Sequence, residues 1–349
     1  MPVRRLPQYR GGDCRGGGVM TALSFKYSRA TSIADALREG AKQGTSYFAG
    51  GTDLMQLWKA GVQMPAAVVD ISRLPLIDIQ KGDGDLSIGA VARLSDVAGH
   101  AVVVHEYPLI AEAIRESASG QIRNMATVGG NLLQRTRCPY FRNEHLPCNK
   151  RIPRSGCGAH SGENRHAALF GTSETCIATH ASDLAVALTA LDAEIEVIAI
   201  PGRRRLALAD LYRLPGDAAQ RDTTLADDEL VASVHLHAAA RFAQHSAYLK
   251  IRDRASFEFA VVSVAAALVV EDGVIMDARL AAGGVAPRPW RLPQSEAALV
   301  GRMVDDNDAF AIAGDLAVEG ARPLAHNGFK IDLLRRAVVR TLQSARGKA

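Results

Sequence analysis

The sequence predicts a mixed α+β fold divided into more than one domain. Three observations carry this reading. Residues 31–71 run helix, strand, glycine turn, helix, strand, the order of an α/β unit. Gly82-Asp83-Gly84 and Asp272-Gly273 each stand between two strand-like runs, as hairpin turns do. Residues 293–345 carry the apolar spacing of helices. A chain of 349 residues has the length of two or three domains.

In chain order, Thr31-Ser32 caps a short helix with Ile33, Ala36, Leu37 and Ala41 on one face, and Gly44 ends it. Tyr47-Phe48-Ala49 reads as a strand and Gly50-Gly51-Thr52 as a turn. Asp53-Leu54-Met55-Gln56-Leu57-Trp58 starts a helix that stops near Gly61. Ala67-Val68-Val69-Asp70-Ile71 is a second strand, bounded by Pro65 and Pro75. Residues 76–79 and 86–91 flank the first hairpin turn. Ser95 and Pro108 open two helices, the second running to about Ala118. A helix follows over residues 183–191, and residues 194–200 alternate as a strand ending at Pro201. Arg203-Arg204-Arg205 reads as a solvated turn, and residues 230–236 as another strand. A boundary falls near residues 238–244. Beyond it, residues 248–251, 259–270 and 274–280 read as strands, and Asp305 and Asn327 as caps in the helical tail.

The totals exclude some classes. The chain is 48% hydrophobic, enough for a core. No run of about 18 apolar residues exists, so no membrane span is expected. The net charge is +4 and the charges are dispersed, without the basic face and interleaved aromatics of a nucleic-acid binder. Residues 1–19 are rich in Arg and Gly and read as a disordered extension. Arg4-Arg5 is followed by no apolar segment of an export signal, and Cys14 reads as a bystander.

Residues 127–183 organise the rest. They open on the glycine turn Thr127-Val128-Gly129-Gly130-Asn131-Leu132 and close on Ser182-Asp183 at the head of an apolar run. Between lie four of the five cysteines, Cys138, Cys148, Cys157 and Cys176, spaced C-x9-C-x8-C-x18-C. The intervening Pro, Gly, Asn, Arg and Ser residues cannot bury enough apolar surface to order the loop. Something else must hold it, and four clustered thiols suggest a metal centre or two disulfides. With no export signal visible, folding in a reducing cytoplasm is the expectation, which favours metal. Four thiolates suit tetrahedral zinc or an iron–sulfur cluster equally, and the spacing matches neither a ferredoxin nor paired C-x-x-C. His145, His160, His166 and His180 are potential zinc ligands but read as solvated loop residues.

Gly50-Gly51-Thr52 and Thr127-Val128-Gly129-Gly130-Asn131 are turns of similar type. Glycine lets backbone amides approach an anion, and a helix N-terminus adds partial positive charge. Two such turns are able to grip a pyrophosphate from two sides, with Thr52, Thr127 and Asn131 adding side-chain donors. Each Gly-Gly pair alone reads as an ordinary tight turn. Neither matches G-x-G-x-x-G, so a Rossmann site is not indicated.

Taken together, the pieces Phe48-Ala49-Gly50-Gly51-Thr52-Asp53-Leu54, Ile122-Arg123-Asn124-Met125-Ala126-Thr127-Val128-Gly129-Gly130-Asn131-Leu132, Ser182-Asp183-Leu184 and Tyr248-Leu249-Lys250 resemble one family. It is that of the FAD-binding subunits and domains of the xanthine dehydrogenase group of molybdenum hydroxylases. The resemblance spans roughly residues 23–345. It implies a two-lobed flavin domain of the vanillyl-alcohol-oxidase (PCMH) type over residues 20–242. A C-terminal α+β domain of the CO dehydrogenase flavoprotein type follows over residues 243–349. It also implies roles. Ser46, Tyr47, Phe48, Ala49, Gly50, Gly51, Thr52 and Asp53 would bind FAD pyrophosphate and ribose. Ser117 and the turn Thr127, Val128, Gly129, Gly130 and Asn131 would lie along the ring and phosphates. Asp183 would bind the adenosine half, and Lys250 the isoalloxazine side. Ser117 stands where some relatives carry an aromatic that stacks on the flavin.

The cysteine insertion, residues 135–176, resembles two branches of this family. These are the bacterial periplasmic aldehyde oxidoreductase and the flavin subunit of 4-hydroxybenzoyl-CoA reductase. Arg137-Cys138-Pro139-Tyr140-Phe141, Cys148-Asn149-Lys150-Arg151, Gly156-Cys157 and Gly171-Thr172-Ser173-Glu174-Thr175-Cys176 favour the aldehyde branch. In both branches the resemblance implies a [4Fe–4S] cluster on the four cysteines. It further implies a large molybdenum-cofactor partner that oxidises aldehydes to carboxylic acids, and a small partner with two [2Fe–2S] clusters. Electrons would reach FAD here and leave to an external acceptor, so no catalytic acid or base is demanded of this chain. The implied location is the periplasm, reached on a partner's signal; the alternative is the cytoplasm. A zinc-stabilised assembly protein without flavin and a standalone flavin oxidase are the rival readings.

Overall fold

The computed structural model describes residues 25–82 and 84–347. The expectations for residues 1–19, Cys14 and Asp83 lie outside the described residues. Three sheets and the helices packed on them make a mixed α+β fold. The first sheet is parallel, with β1 (Lys26–Arg29), β2 (Thr45–Phe48) and β3 (Ala67–Asp70) in the order β1-β3-β2. Helices Ile33–Gly40 and Leu54–Lys59 supply the connections that parallel strands need. Ser32 caps the first helix by accepting from the Asp35 amide at 3.1 Å.

The second sheet has five strands, all antiparallel to their neighbours. Its strands are β4 (Ile79–Lys81), β5 (Asp85–Gly89), β6 (Glu194–Ala199), β7 (Gly202–Ala207) and β8 (Leu230–His237), in the order β4-β5-β8-β6-β7. The arginine run, expected as a solvated turn, is the edge strand β7. Carboxylates explain the difference: Arg203 pairs with Glu196 at 2.8 Å on the neighbouring strand, and Arg204 with Glu229 at 2.6 Å. An edge strand bearing charges resists further pairing. Two further expectations shift. The helix placed at Ser95 begins at Leu94 and breaks at His100 into Leu94–Gly99 and Ala101–Glu106. The cap placed at Asp305 belongs to Asp306, which accepts from the Ala309 amide at 2.9 Å.

The third sheet holds β9 (His245–Ile251), β10 (Val262–Glu271), β11 (Val274–Gly283) and β12 (Trp290–Arg291), antiparallel, in the order β12-β11-β10-β9. Helices Pro293–Leu299, Asn307–Leu316 and Phe329–Arg346 follow it, and the last packs on β9 and β10. Helix Asp183–Ala190 is buried at every position. It packs against helix Pro108–Glu116 and against β10 and β11. Its composition explains this, since a helix apolar on all sides must be covered on all sides. With its own covering helices on the other side, β10 needs an almost continuous apolar run, Val262 to Leu268, all buried.

Asn327, expected as a cap, instead ties domains together. Its side-chain amide donates to the Ala167 and Ala168 carbonyls, both at 3.2 Å, and its oxygen accepts from the Leu324 amide. Beside it, the buried Lys330 amine donates to the carbonyls of Ala167 at 3.0 Å and Gly284 at 2.8 Å. Burial lowers its pKa from 10.5 to about 7. A neutral amine has two N–H groups for these two acceptors. Between pH 7 and 10.5 the unfolded chain holds a proton here that the folded chain has released, so this group makes stability rise with pH across that window. Lys330→Met should therefore flatten the rise. Urea midpoints of both chains at pH 7 and pH 10 measure it, and an unchanged slope would contradict the assignment.

Candidate functional site

Two cavities of about 350 Å³ and 260 Å³ form one cleft. Both are lined by Thr52, Asp53, Gly130 and Gln134. The first runs along Ser46, Tyr47, Phe48, Ala49, Gly50 and Gly51 and is closed on the far side by residues 225–231. The second lies over Ser117, Asn131 and Asp183, with Arg254, Phe257 and Phe259 at its edge. The combined size suits a ligand of dinucleotide dimensions.

The first glycine turn is built for an anion. No acceptor among the described residues takes the amides of Gly50, Gly51, Thr52 or Asp53. Gly51 has φ +69°, which favours glycine. Gly50 answers a different need: a Cβ there would lie 1.9 Å from the Met125 carbonyl oxygen. The two turns therefore pack backbone to backbone, and only glycine permits it.

The second turn differs from expectation. The Gly129 amide donates to the Ala90 carbonyl at 2.8 Å, and the Gly130 amide to Thr127 Oγ1 at 3.3 Å. Neither is free for a phosphate. Val128 is buried in the core and lines neither cavity. What this turn offers the cleft is Gly129 and Gly130, the Thr127 hydroxyl and Asn131. Ser182 Oγ donates to Asn131 Oδ1 at 2.5 Å and accepts from the Ala185 amide, so the same serine orients Asn131 and caps the buried helix.

Asp183 and Lys250, expected at opposite ends of the cofactor, are one ion pair 2.8 Å apart with side chains 6% and 1% exposed. They cannot serve opposite halves of an extended dinucleotide. Asp183 also accepts from Tyr248 Oη at 2.7 Å and Ser117 Oγ at 3.1 Å. Lys250 lines neither cavity. Its ammonium is spent on Asp183 and the Glu116 carbonyl, because a buried ammonium requires such partners. Lys250 and Tyr248 hold Asp183 in place beneath the second cavity, and Ser117 shares that floor. Burial and the adjacent Asp183 charge push the Tyr248 hydroxyl well above its usual pKa, so it stays a donor.

The four cysteines lie beside this cleft. None is in a disulfide. All four line one small cavity together with Tyr140, Phe141 and Ile177. None of His145, His160, His166 or His180 lines it. Cys148 and Cys157 face each other across an isolated antiparallel bridge, and Cys176 bridges Ser173. Burial pushes the Cys138 thiol up to about 11, and neighbouring Cys176 and Cys148 push the same way, while amides of Phe141 and Tyr140 pull down. The thiols therefore feel one another, and backbone N–H groups point at sulfur. Among the described residues, no group of three or more His, Cys, Asp or Glu side chains is placed to hold a metal ion. The donor set still fits a metal centre: four soft ligands around one hole, with amide donors behind them.

Arginines join the cage to the cleft, and the sequence reading missed them. Asp53 accepts from the Arg135 amide at 2.8 Å and from Arg142 Nη2 at 2.7 Å, and pairs with Arg137 Nη1 at 3.0 Å. Only the density of arginines beside Cys138 hinted at this. Lys150, next to Cys148, is buried and bonds Asp222 and the Ala219 carbonyl. Asp222 in turn pairs with Arg135 at 2.6 Å. His180 is half-buried against Tyr212, and desolvation lowers its pKa to about 4, so it is a neutral ring packed on Tyr212 and not a freely solvated loop residue.

Removing one partner of the buried pair leaves the other uncompensated. Asp183→Asn should destabilise the chain by about 3–5 kcal/mol. The double variant Asp183→Leu with Lys250→Met should cost less than the single one. Denaturant unfolding of the three chains checks this; equal losses would show that the charges are not coupled.

The comparisons with known proteins agree with this geometry. The model of the FAD binding domain in molybdopterin dehydrogenase matches residues 23–238, and that of the CO dehydrogenase flavoprotein C-terminal domain matches residues 246–345. The aldehyde oxidoreductase FAD-binding subunit PaoB of Escherichia coli K12 is 42% identical over 329 residues, covering 93% of this chain and 99% of its own. The glyceraldehyde dehydrogenase medium chain of Sulfolobus acidocaldarius is 28% identical, covering 91% and 95%. Among solved structures, carbon monoxide dehydrogenase of Hydrogenophaga pseudoflava aligns with a TM-score of 0.72 at 23% identity, covering 93% of this chain and 98% of that one. Quinoline 2-oxidoreductase of Pseudomonas putida 86 aligns with a TM-score of 0.71 at 22% identity, covering 93% and 97%; at this identity the likeness is one of fold. The chain belongs to the family of FAD-binding subunits of molybdenum-dependent dehydrogenases, the xanthine dehydrogenase family.

Proposed function

We propose that this chain is the FAD- and [4Fe–4S]-binding electron-transfer subunit of a three-subunit, molybdenum-dependent aldehyde oxidoreductase. The observation that carries it is the juxtaposition of two built sites. A cleft whose Gly50, Gly51, Thr52 and Asp53 amides have no acceptor among the described residues adjoins a cavity ringed by Cys138, Cys148, Cys157 and Cys176. Bound FAD supplies a redox centre that can exchange electrons singly or in pairs. The chain's own part is to hold it. Amides of the first turn would hold its diphosphate, with Asn131 and Thr127 adding donors from the second turn, and Asp183 is fixed by Tyr248 and Lys250 below the second cavity. Asp183, which accepts from Lys250, Tyr248 and Ser117, is a positioned acceptor rather than a freely moving one.

For the cysteine cage, a cluster is favoured over zinc. Four thiolates suit a tetrahedral zinc as well as a cluster, and the four cysteines line one cavity that no histidine lines; the redox setting of a flavin-carrying chain is what favours the cluster. The aldehyde branch is favoured by the strong similarity to a relative named as an aldehyde oxidoreductase subunit, along nearly the whole of both chains. The proposal includes a large molybdenum subunit, a small iron–sulfur subunit and an external acceptor as partners. It includes the periplasm as the site of action, reached with an exported partner, which cell fractionation would distinguish from the cytoplasm.

The purified complex should show flavin absorption with a broad iron–sulfur shoulder, and metal analysis should find iron without zinc. Cys148→Ser should lose most of that iron and lower the yield of complex. Zinc in the native cage, or iron retained in full by the variant, would overturn the cluster assignment.

A further inference from the structure

Asp53 belongs to both sites at once. It lines both cavities of the cleft, and its carboxylate is 13% exposed. Its partners all come from the segment that leads into and past Cys138: the amide of Arg135 and the guanidinium groups of Arg137 and Arg142. Arg142 also donates to the carbonyls of Thr136 at 2.9 Å and Arg135 at 3.1 Å, so it folds the segment around the carboxylate it binds. The apolar contacts repeat the link. Leu57, on the helix that Asp53 begins, lines the first cavity and packs with Phe141 and Cys148. Phe141 in turn lies under the Arg135 and Arg142 guanidiniums at 4.9 Å and 5.9 Å. A short helix thus has one side on the cleft and another on the thiol ring.

We infer that occupancy of the cysteine cage and occupancy of the flavin cleft are thermodynamically coupled through the clamp of Asp53 by Arg135, Arg137 and Arg142. The insertion has little apolar content of its own, so emptying the cage releases residues 135–142 from the arrangement that closes around Asp53. The first glycine turn then loses the contacts that fix its helix, and FAD must order them on binding. Conversely, bound FAD holds Asp53, Leu57 and Gln134 and so holds the segment carrying Cys138. The coupling is reciprocal by necessity. It rests on the reading of both sites proposed above, but not on which metal fills the cage.

The test uses the full-length chain, with the cage loaded or stripped of metal by ferricyanide and EDTA, and FAD titrated by quenching of flavin fluorescence. Stripping should weaken FAD binding at least about tenfold, within the range of about 5–150-fold usual for coupled sites. In return, saturating FAD should slow iron release to a coloured chelator. Arg142→Met leaves every cysteine and every lining residue of the cleft in place. It should shrink the ratio of the two FAD affinities towards one, and Arg142→Lys should restore part of it. If Arg142→Met does not fold, the loaded and stripped native chains decide alone. Equal FAD affinity with the cage full and empty overturns the coupling and leaves the cluster reading intact. Zinc in the native cage overturns the cluster reading, and the same titration with and without zinc then decides the coupling. A native cage without metal overturns both.

Discussion

The structure depends most on one carboxylate, that of Asp53. It sits at the start of the helix after the first glycine turn, where the chain leaves β2 for the cleft. The guanidiniums of Arg137 and Arg142, from a segment far away in sequence, pair with it, and the Arg135 amide donates to it. In water such pairs contribute little. Here the groups are largely withdrawn from solvent, with the Arg137, Arg142 and Asp53 side chains 23%, 18% and 13% exposed. The attraction is correspondingly stronger and harder to screen. A loop whose own apolar clusters are small is thereby given a fixed position against the nucleotide cleft.

The same device recurs wherever the fold buries charge. Asp183 is balanced by Lys250, and Asp222 by Lys150 and Arg135. Such pairs add little net stability compared with apolar residues of the same shape, but breaking one is expensive. Their value is positional. Lys250 and Tyr248 come from β9 of the C-terminal sheet and grip the first residue of a helix belonging to the other core. Lys330 and Asn327 grip carbonyls at the end of the cysteine insertion. The C-terminal sheet and helices thus brace both the floor of the cleft and the exit of the cage.

Much of this was legible in the sequence. Periodic apolar spacing and glycine turns marked most strands and helices, because those signals act over a few residues. The glycine pairs, the four cysteines and Ser182-Asp183 pointed to the cleft and the cage. What the sequence hid is set by distant partners. The arginine run became β7 because Glu196 and Glu229 face it. Lys250 left the cofactor's side because Asp183 needs its charge. Gly129 proved to be a packing glycine because the backbone of Ala90 lies against it, 3.1 Å from where a Cβ would stand. The role of Asp53 as a junction was invisible, since nothing local links residue 53 to residues 135–142.

The central claim is that one chain carries a nucleotide cleft and a cluster cage joined through Asp53. Anomalous diffraction at the iron and zinc edges, from crystals of the flavin-loaded chain, tests it most directly. The account predicts an iron signal, with none at the zinc edge, enclosed by Cys138, Cys148, Cys157 and Cys176, and flavin nucleotide density against the amides of Gly50 to Asp53. A zinc signal in the cage, or a diphosphate lodged away from the first glycine turn, would contradict it.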